Sequence, residues 1–200
     1  MADQISMKES NAILIADEII NMFEQHGGEE YAGEAVTQLQ HMFQAGELAR
    51  NAGSDDELIL AAFLHDIGHI CVSADQHAAM DGYGIMDHED VGAQFLDSRG
   101  FSSRLQKLVA AHVDAKRYLT YADPVYYNNL SDASKITLQF QGGPMTEEEA
   151  FAFEADSLFP LYIQLRKWDE LAKDTSKPVT DLQFYHQLII QHLNQQHVKI

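Results

Sequence analysis

Residues 60–69 read LAAFLHDIGH, and this stretch limits what the chain can fold into more than any other. Leu58, Ala61, Ala62 and Leu64 recur at a spacing that carries one helical face into a core, and His65 and Asp66 follow without a break. A core accepts an imidazole and a carboxylate only if something offsets their desolvation. A metal ion does so, because both groups are ligands for first-row metals and neighbours on one turn can hold one ion or bridge two. A core histidine oriented by its aspartate gives the same sequence, and for an isolated His-Asp pair that plainer reading is the commoner one. The rest of the chain has to decide between them.

Helical periodicity runs through most of it. Residues 7–26 carry Ile13, Ala16, Ile20 and Phe23 on one face and stop at Gly27-Gly28. A second segment passes through Val36, Leu39, His41, Phe43 and Leu48 to Gly53. Ser54 and Glu57 have capping-box spacing, which predicts that the His-Asp helix starts there and ends near Gly68. Residues 71–86 have no steady period and read as a loop. Asp87 is the expected N-cap of a helix with Val91, Phe95 and Leu96 inward, stopped by Gly100. Ser102 or Ser103 caps the next, which carries Leu105, Leu108, Val109 and His112 in register. After a break at Asp123-Pro124, residues 130–140 read as a helix closed by Gln141-Gly142-Gly143-Pro144, and Thr146 with Glu149 forms a second capping box. Helices over about residues 160–173, with Leu161, Leu165, Trp168 and Asp169, and from 180 to about 195 complete the chain. No segment alternates with a period of two, so the expected fold is an all-α bundle, one domain over residues 1–200.

Charge narrows the partners. With 13 Lys and Arg against 31 Asp and Glu, the net charge of -18 repels nucleic acid and anionic membranes. No apolar run reaches the roughly 18 residues needed for a membrane span. The opening MADQISMKES lacks the pattern of a secretory leader, and the single Cys71 offers no disulfide framework, so a cytoplasmic location is expected. A small anionic substrate remains open to such a chain if a local basic pocket overrides the global field. The basic residues near the candidate ligands, namely His69, Lys116, Arg117, Lys135, Arg166 and Lys167, therefore carry information.

His41, His65 with Asp66, His88, His112 and Asp169 fall on five predicted helices, near their apolar faces. Side chains converging from several helices are how bundles build metal sites. His77, His186, His192 and His197 read instead as solvated or core residues. On sequence alone Lys116 and Arg166 read first as solvated helix-face residues, but Lys116 follows His112 by four and Arg166 precedes Asp169 by three, which places each on the same helix face as a ligand and weakens that reading.

The order His41, His65-Asp66, Asp169 resembles the HD-domain superfamily, and the added His88 and His112 resemble its dinuclear members. More narrowly, YAGEAVTQLQH, LAAFLHDIGH, GYGIMDHEDVGA, HVDAKRYL, LSDASKITLQFQGGPM and LRKWDE, spread over residues 31 to about 170, are similar to the PhnZ-type mixed-valence di-iron oxygenases. Those enzymes cleave the carbon-phosphorus bond of 1-hydroxyphosphonates, and inositol oxygenase is a more distant relative. The resemblance implies an HD-domain helical bundle with two Fe ions, Fe(II) and Fe(III), and O2 as co-substrate. His41, His65, Asp66 and Asp169 would hold one iron; Asp66, as a bridge, His88 and His112 would hold the other. His69, Lys116, Ser134, Gln141 and Arg166 match positions around the phosphonate oxygens, where Arg166 offers a planar fork and Lys116 a point charge.

Tyr31 and Glu34, at the entrance to the second helix and three residues apart on one face, are the expected gate. Tyr31 would occupy an open iron position until substrate displaces it, and Glu34 would meet any cationic group on the substrate; packing over the bundle end is the alternative for Tyr31. Phosphate and a carboxylic acid would be released: formate from hydroxymethylphosphonate, glycine from 2-amino-1-hydroxyethylphosphonate. Two rivals stand beside this reading. One is a metal-dependent phosphohydrolase acting on a phosphate ester, and the other is a non-catalytic sensing or scaffold domain, against which the six ligands argue.

Overall fold

A computed structural model describes residues 2–31, 33–72 and 80–196, with the side chains of the first helix from residue 9 onward. Its centre is α3 (Asp56–Leu64), in which Leu58, Ile59, Leu60, Ala61, Ala62, Phe63 and Leu64 are all buried. A helix apolar all round needs neighbours on every side. α2 (Gln38–Asn51), α5 (Ser103–Ala122), α9 (Phe159–Leu171) and α10 (Leu182–Gln196) supply them, and α1 (Ala2–His26) packs outside against α10. Phe23, Met42, Leu105, Leu108, Leu165, Tyr185 and Ile189 are contributed to the core by these five helices. α4 (His88–Ser98), α6 (Pro124–Asn129), α7 (Asp132–Phe140) and α8 (Glu147–Glu154) complete the regular structure together with a 3₁₀ turn, Ile67–His69. Among the described residues there is no strand, and an isolated bridge joins Glu30 to Thr37, so the all-helical expectation holds. No helix among them is long and apolar enough to cross a membrane.

Several local expectations change. The cap of α3 is Asp55, whose carboxylate accepts from the Leu58 amide at 3.1 Å, and not a Ser54-Glu57 box. Glu57 is drawn away by Arg104 at 2.7 Å, and an ion pair outcompetes the reach back to the cap. The helix also stops at Leu64 instead of near Gly68, leaving Asp66 at φ -103°, ψ 15° before the 3₁₀ turn. Asp87 precedes α4 but makes no side-chain cap bond. α1 begins at Ala2, earlier than the apolar stripe alone indicates. The break at Asp123-Pro124 turns out to start α6, with proline in its first turn and Asp123 accepting from the Val125 amide at 2.8 Å. Ser102 and the Thr146-Glu149 box cap α5 and α8 as expected.

Tyr31 and Glu34 do not share a helix face. α2 begins at Gln38 behind a Thr37-Gln40 capping box, and residues 31–36 form a loop in which the Tyr31 amide donates to the Val36 carbonyl at 2.9 Å. Gly33, at φ +82°, supplies the left-handed conformation that makes this loop.

The 3₁₀ turn lies backbone to backbone on α4. A Cβ at Gly68 would stand 1.9 Å from the His88 carbonyl oxygen, whereas one at Gly92, on the facing side, would meet its nearest atoms at 3.2 Å. Gly68→Ala therefore has to separate two backbones, which puts it at the top of the overpacking range, about 3 kcal/mol. At roughly 2–4 °C per kcal/mol for a chain of this size, the melting temperature should fall by about 6–12 °C. Gly92→Ala should cost clearly less, and thermal unfolding of both variants checks the ranking.

Candidate metal centre and anion pocket

The turn after α3 aims the two oxygens of Asp66 in different directions. Oδ2 faces His65 Nε2 at 3.3 Å and His41 Nε2 at 3.5 Å, while Oδ1 faces His112 Nε2 at 3.1 Å and His88 Nε2 at 3.2 Å. Asp169, from α9, closes the first group, with Oδ1 3.3 Å from His41 Nε2 and Oδ2 3.9 Å from His65 Nε2. All six residues are buried. The structure thus brings together every ligand expected from the sequence.

Each imidazole is held by its other nitrogen. Nδ1 of His41, His65, His88 and His112 lies 3.0, 2.8, 3.0 and 2.7 Å from the carbonyls of Ala172, Ala62, Ile85 and Val109. A carbonyl can only accept, so each Nδ1 carries the hydrogen and each Nε2 is left to face the site, the arrangement that orients histidine toward a metal. The Nε2 atoms then meet in pairs, His41 with His65 at 3.1 Å and His88 with His112 at 2.9 Å. Two lone pairs at that distance repel unless a cation lies between them. Among the described residues both Asp66 oxygens are buried without a hydrogen-bond donor, which calls for positive charge on either side.

Protons meet that demand only in part. Burial lowers His41, but Asp169 and Asp66 outweigh it and draw the imidazole up to about 9; His88 is likewise raised by Asp66 against its burial. His112, pushed down by burial and by its histidine neighbours, falls to about 4. Burial would raise Asp66 and Asp169, yet the surrounding histidines, and Arg166 for Asp169, keep both well below the carboxylate range. Imidazole nitrogens and carboxylates are a donor set that fits first-row metals such as iron, one ion on each side of Asp66.

His69 stands apart. It stacks on His88 with ring centres 4.0 Å apart, and its Nδ1 accepts from the Ile85 amide at 3.2 Å. A backbone N-H can only donate, so the hydrogen of this neutral ring is on Nε2, opposite to the four others. Although His69 groups with Asp66 and His88 at ligand spacing, its tautomer makes it a donor.

Beside the histidines lies a small cavity, about 30 Å³, lined by Tyr31, His69, Met80, Tyr83, Lys116, Ser134, Gln141 and Arg166 among others. Lys116 is buried, donates to Thr137 Oγ1 at 3.0 Å and pairs with no carboxylate among the described residues. Burial and the nearby Arg166 pull its ammonium down to about 7. The Gln141 Oε1 atom is buried and has no hydrogen-bond partner among the described residues. Arg166 is more engaged than its sequence position indicates: Nη1 donates to Asp169 at 2.5 Å, Nη2 pairs with Glu170, and Nε donates to the Tyr126 hydroxyl at 2.9 Å. It lines the cavity and also steadies a candidate ligand. Tyr31 stacks on His41 at 3.9 Å, and burial together with Asp66 and Asp169 keeps its phenol protonated to well above the usual range.

Glu34 is already paired. Lys173 Nζ lies 2.8 Å from its carboxylate and the Ser131 hydroxyl donates to it at 2.5 Å, which together hold it below the usual range although burial opposes this. Lys173 and Ser131 escaped sequence reasoning; the signal available was the spacing of Lys173, four residues after Asp169. Of the other basic residues, Arg117 is spent on Asp114, Glu149 and the Gly143 carbonyl, Lys135 reaches the Asn128 carbonyl and the Tyr127 ring, and Lys167 is exposed. His186 pairs with Asp17 and His192 is a buried acceptor for the Ser102 amide, away from the site as expected. His77 and His197 lie outside the described residues.

Comparison with known proteins gives one family match and three relatives. Residues 39–161 match the HD domain. The chain is 40% identical over 167 residues, 84% of each chain, to the [1-hydroxy-2-(trimethylamino)ethyl]phosphonate dioxygenase (glycine-betaine-forming) of Leisingera caerulea. It is 39% identical over 174 residues, 85% of each, to the hydroxymethylphosphonate dioxygenase of Gimesia maris, and 42% identical over 177 residues, 88% of this chain and 81% of the other, to a protein of Acanthamoeba polyphaga mimivirus with no assigned activity.

Proposed function

Because the chain belongs to the HD-domain family and, within it, to the phosphonate dioxygenases, we propose that it uses O2 to cleave the carbon-phosphorus bond of a small 1-hydroxyalkylphosphonate. The observation that carries this reading is Asp66, buried and donor-free, with each oxygen turned to a separate pair of Nε2 atoms beside a cationic cavity. His41, His65 and Asp169 with one oxygen of Asp66, and His88 and His112 with the other, would hold two irons in the Fe(II)/Fe(III) state. When bound, such a pair supplies the redox chemistry and the open coordination position that O2 requires.

The remaining work falls to side chains. Lys116 and Arg166 neutralise the phosphonate dianion, and the His69 Nε2-H and the Ser134 hydroxyl donate to its oxygens. Lys116, Ser134 and Arg166 are buried, so charged hydrogen bonds made there act at a lower effective dielectric than in water. The balance is one phosphonate and one O2 to one carboxylic acid and one phosphate; with hydroxymethylphosphonate the acid is formate. Iron-loaded protein should release phosphate and formate from that substrate in air and neither under argon. Phosphate release from an ester under argon, with the phosphonate untouched, would instead mean a phosphohydrolase.

Tyr31 is the group we assign to the resting state. Its surroundings resist ionisation, so only a bound cation can generate the phenolate. Oxidised, substrate-free protein should then show a phenolate-to-iron absorption band that fades on adding a 1-hydroxyphosphonate and is missing in Tyr31→Phe. Identical visible spectra for the two proteins would leave Tyr31 a packing residue.

A further inference from the structure

Three of the four candidate metal histidines are oriented from within their own turn. Nδ1 of His65, His88 and His112 meets the carbonyl three residues before it, at Ala62, Ile85 and Val109. His41 differs, because its acceptor is the carbonyl of Ala172, 131 residues further along the chain. The direction of its ring is therefore set by the segment leaving α9. Ala172 caps α9 and is buried, and its amide donates to the Asp169 carbonyl at 3.2 Å. Its two backbone groups thus join His41 and Asp169, which are assigned to the same metal position.

Gln44 holds that segment against α2. It follows His41 by three residues, on the same face of the helix, and is buried among Met42, Phe43, Ala45 and Gly46. An apolar side chain would pack there equally well, whereas a buried amide needs partners. Gln44 finds both on one residue: Nε2 donates to the Asp174 carbonyl and Oε1 accepts from the Asp174 amide, each at 3.0 Å. Residues 172 and 174 are thus fastened to α2 by His41 and Gln44, one turn apart.

We infer that Gln44 is a positioning residue for the metal centre: its amide fastens the chain leaving α9 to α2, so that the Ala172 carbonyl holds the His41 Nδ1-H and Nε2 stays turned to the ion. The inference rests on the metal centre proposed above and deepens it, by naming a group that bonds no ligand yet fixes the direction of one. Asp174 is exposed, so without the amide water takes over its backbone groups, the segment gains freedom and His41 loses a fixed acceptor. His65, His88 and His112 keep theirs, each acceptor lying in its own turn.

The test reads the imidazole N-H protons by NMR in the full-length protein loaded with zinc, which is diamagnetic and takes imidazole ligands. Exchange of such a proton with water reports how often its hydrogen bond opens. Gln44→Met, which keeps the length of the side chain and removes both bonds, should speed exchange at His41 by about tenfold or more and leave His65, His88 and His112 at wild-type rates. Iron in the position built from His41, His65 and Asp169, titrated against a chelator, should be held about tenfold more weakly. That is the lower end of the range for groups behind a metal ligand, since Gln44 acts through Ala172. Ala49→Gly, which loosens α2 away from the segment, should change neither reading. Should Gln44→Met not fold, Gln44→Glu, which keeps the acceptor and loses the donor, is read in its place and should move His41 in the same direction. A His41 proton that exchanges as in wild type overturns the inference, as does an equal increase at all four histidines, the same increase in Ala49→Gly, or an unchanged iron affinity. If wild type binds neither zinc nor iron, the metal centre itself falls, and the inference with it.

Discussion

Asp66→Ala is expected to empty both metal positions at once, whereas His88→Ala or His112→Ala should lower iron toward half while the position built from His41, His65 and Asp169 stays filled. The asymmetry follows from the two directions of the Asp66 oxygens, each 3.1 to 3.5 Å from its own pair of Nε2 atoms. Even groups that merely support metal ligands change affinity by roughly 10–100-fold, so loss of a carboxylate shared by two ions should exceed that on both sides. Iron per chain, measured on purified variants whose helix content matches wild type, reads the result. Full iron in Asp66→Ala would defeat the bridging assignment, and equal loss in all three variants would mean that the two positions fill only together.

The second large effect concerns the anion, and it separates two basic residues that look alike in sequence. Lys116 is buried and, among the described residues, pairs with no carboxylate and donates to Thr137, so Lys116→Met should leave iron in place and weaken phosphonate binding by about 2–5 kcal/mol, or at least about thirtyfold in Kd. Arg166→Ala should cost as much in binding and also lose iron, because Arg166 donates to Asp169 at 2.5 Å and its removal leaves that carboxylate unsupported. Calorimetry and metal analysis on the pair decide it. A pH effect accompanies the lysine. Held near 7, Lys116 is mostly neutral at pH 8.5, and a dianion placed beside it favours the ammonium form. Binding at that pH should therefore take up close to one proton, visible as a dependence of the heat on the buffer, and Lys116→Met should abolish the uptake. Unchanged affinity in both variants would put the phosphonate elsewhere.

How far the sequence led is clearest residue by residue. The apolar run through Leu58 and Leu64 required a buried helix, and the structure buries it on all sides. The candidate ligands were legible because a histidine on an apolar stripe needs a reason to be there, and His41, His65, His88 and His112 share one. Local caps were less so. Ser54 and Glu57 have the right spacing, but Arg104, far along the chain, claims Glu57. Glu34 shows the same limit within the site: its neighbours in sequence do not reveal that Lys173, two residues past the end of α9, lies against it. Arg166 was seen as an anion ligand and missed as the support of Asp169, since its three-residue spacing fits both. What short-range pattern records is burial and periodicity; which charge meets which is fixed by packing between distant helices.

The most direct measurement is the fate of isotopically heavy dioxygen during turnover of hydroxymethylphosphonate by the iron-loaded protein, read by mass spectrometry of formate and phosphate. Expected is heavy oxygen from O2 in the products, with one O2 consumed for each phosphate released. Phosphate formed at full rate with all its new oxygen drawn from water, and no O2 consumed, would contradict carbon-phosphorus cleavage by dioxygen and return the site to hydrolysis.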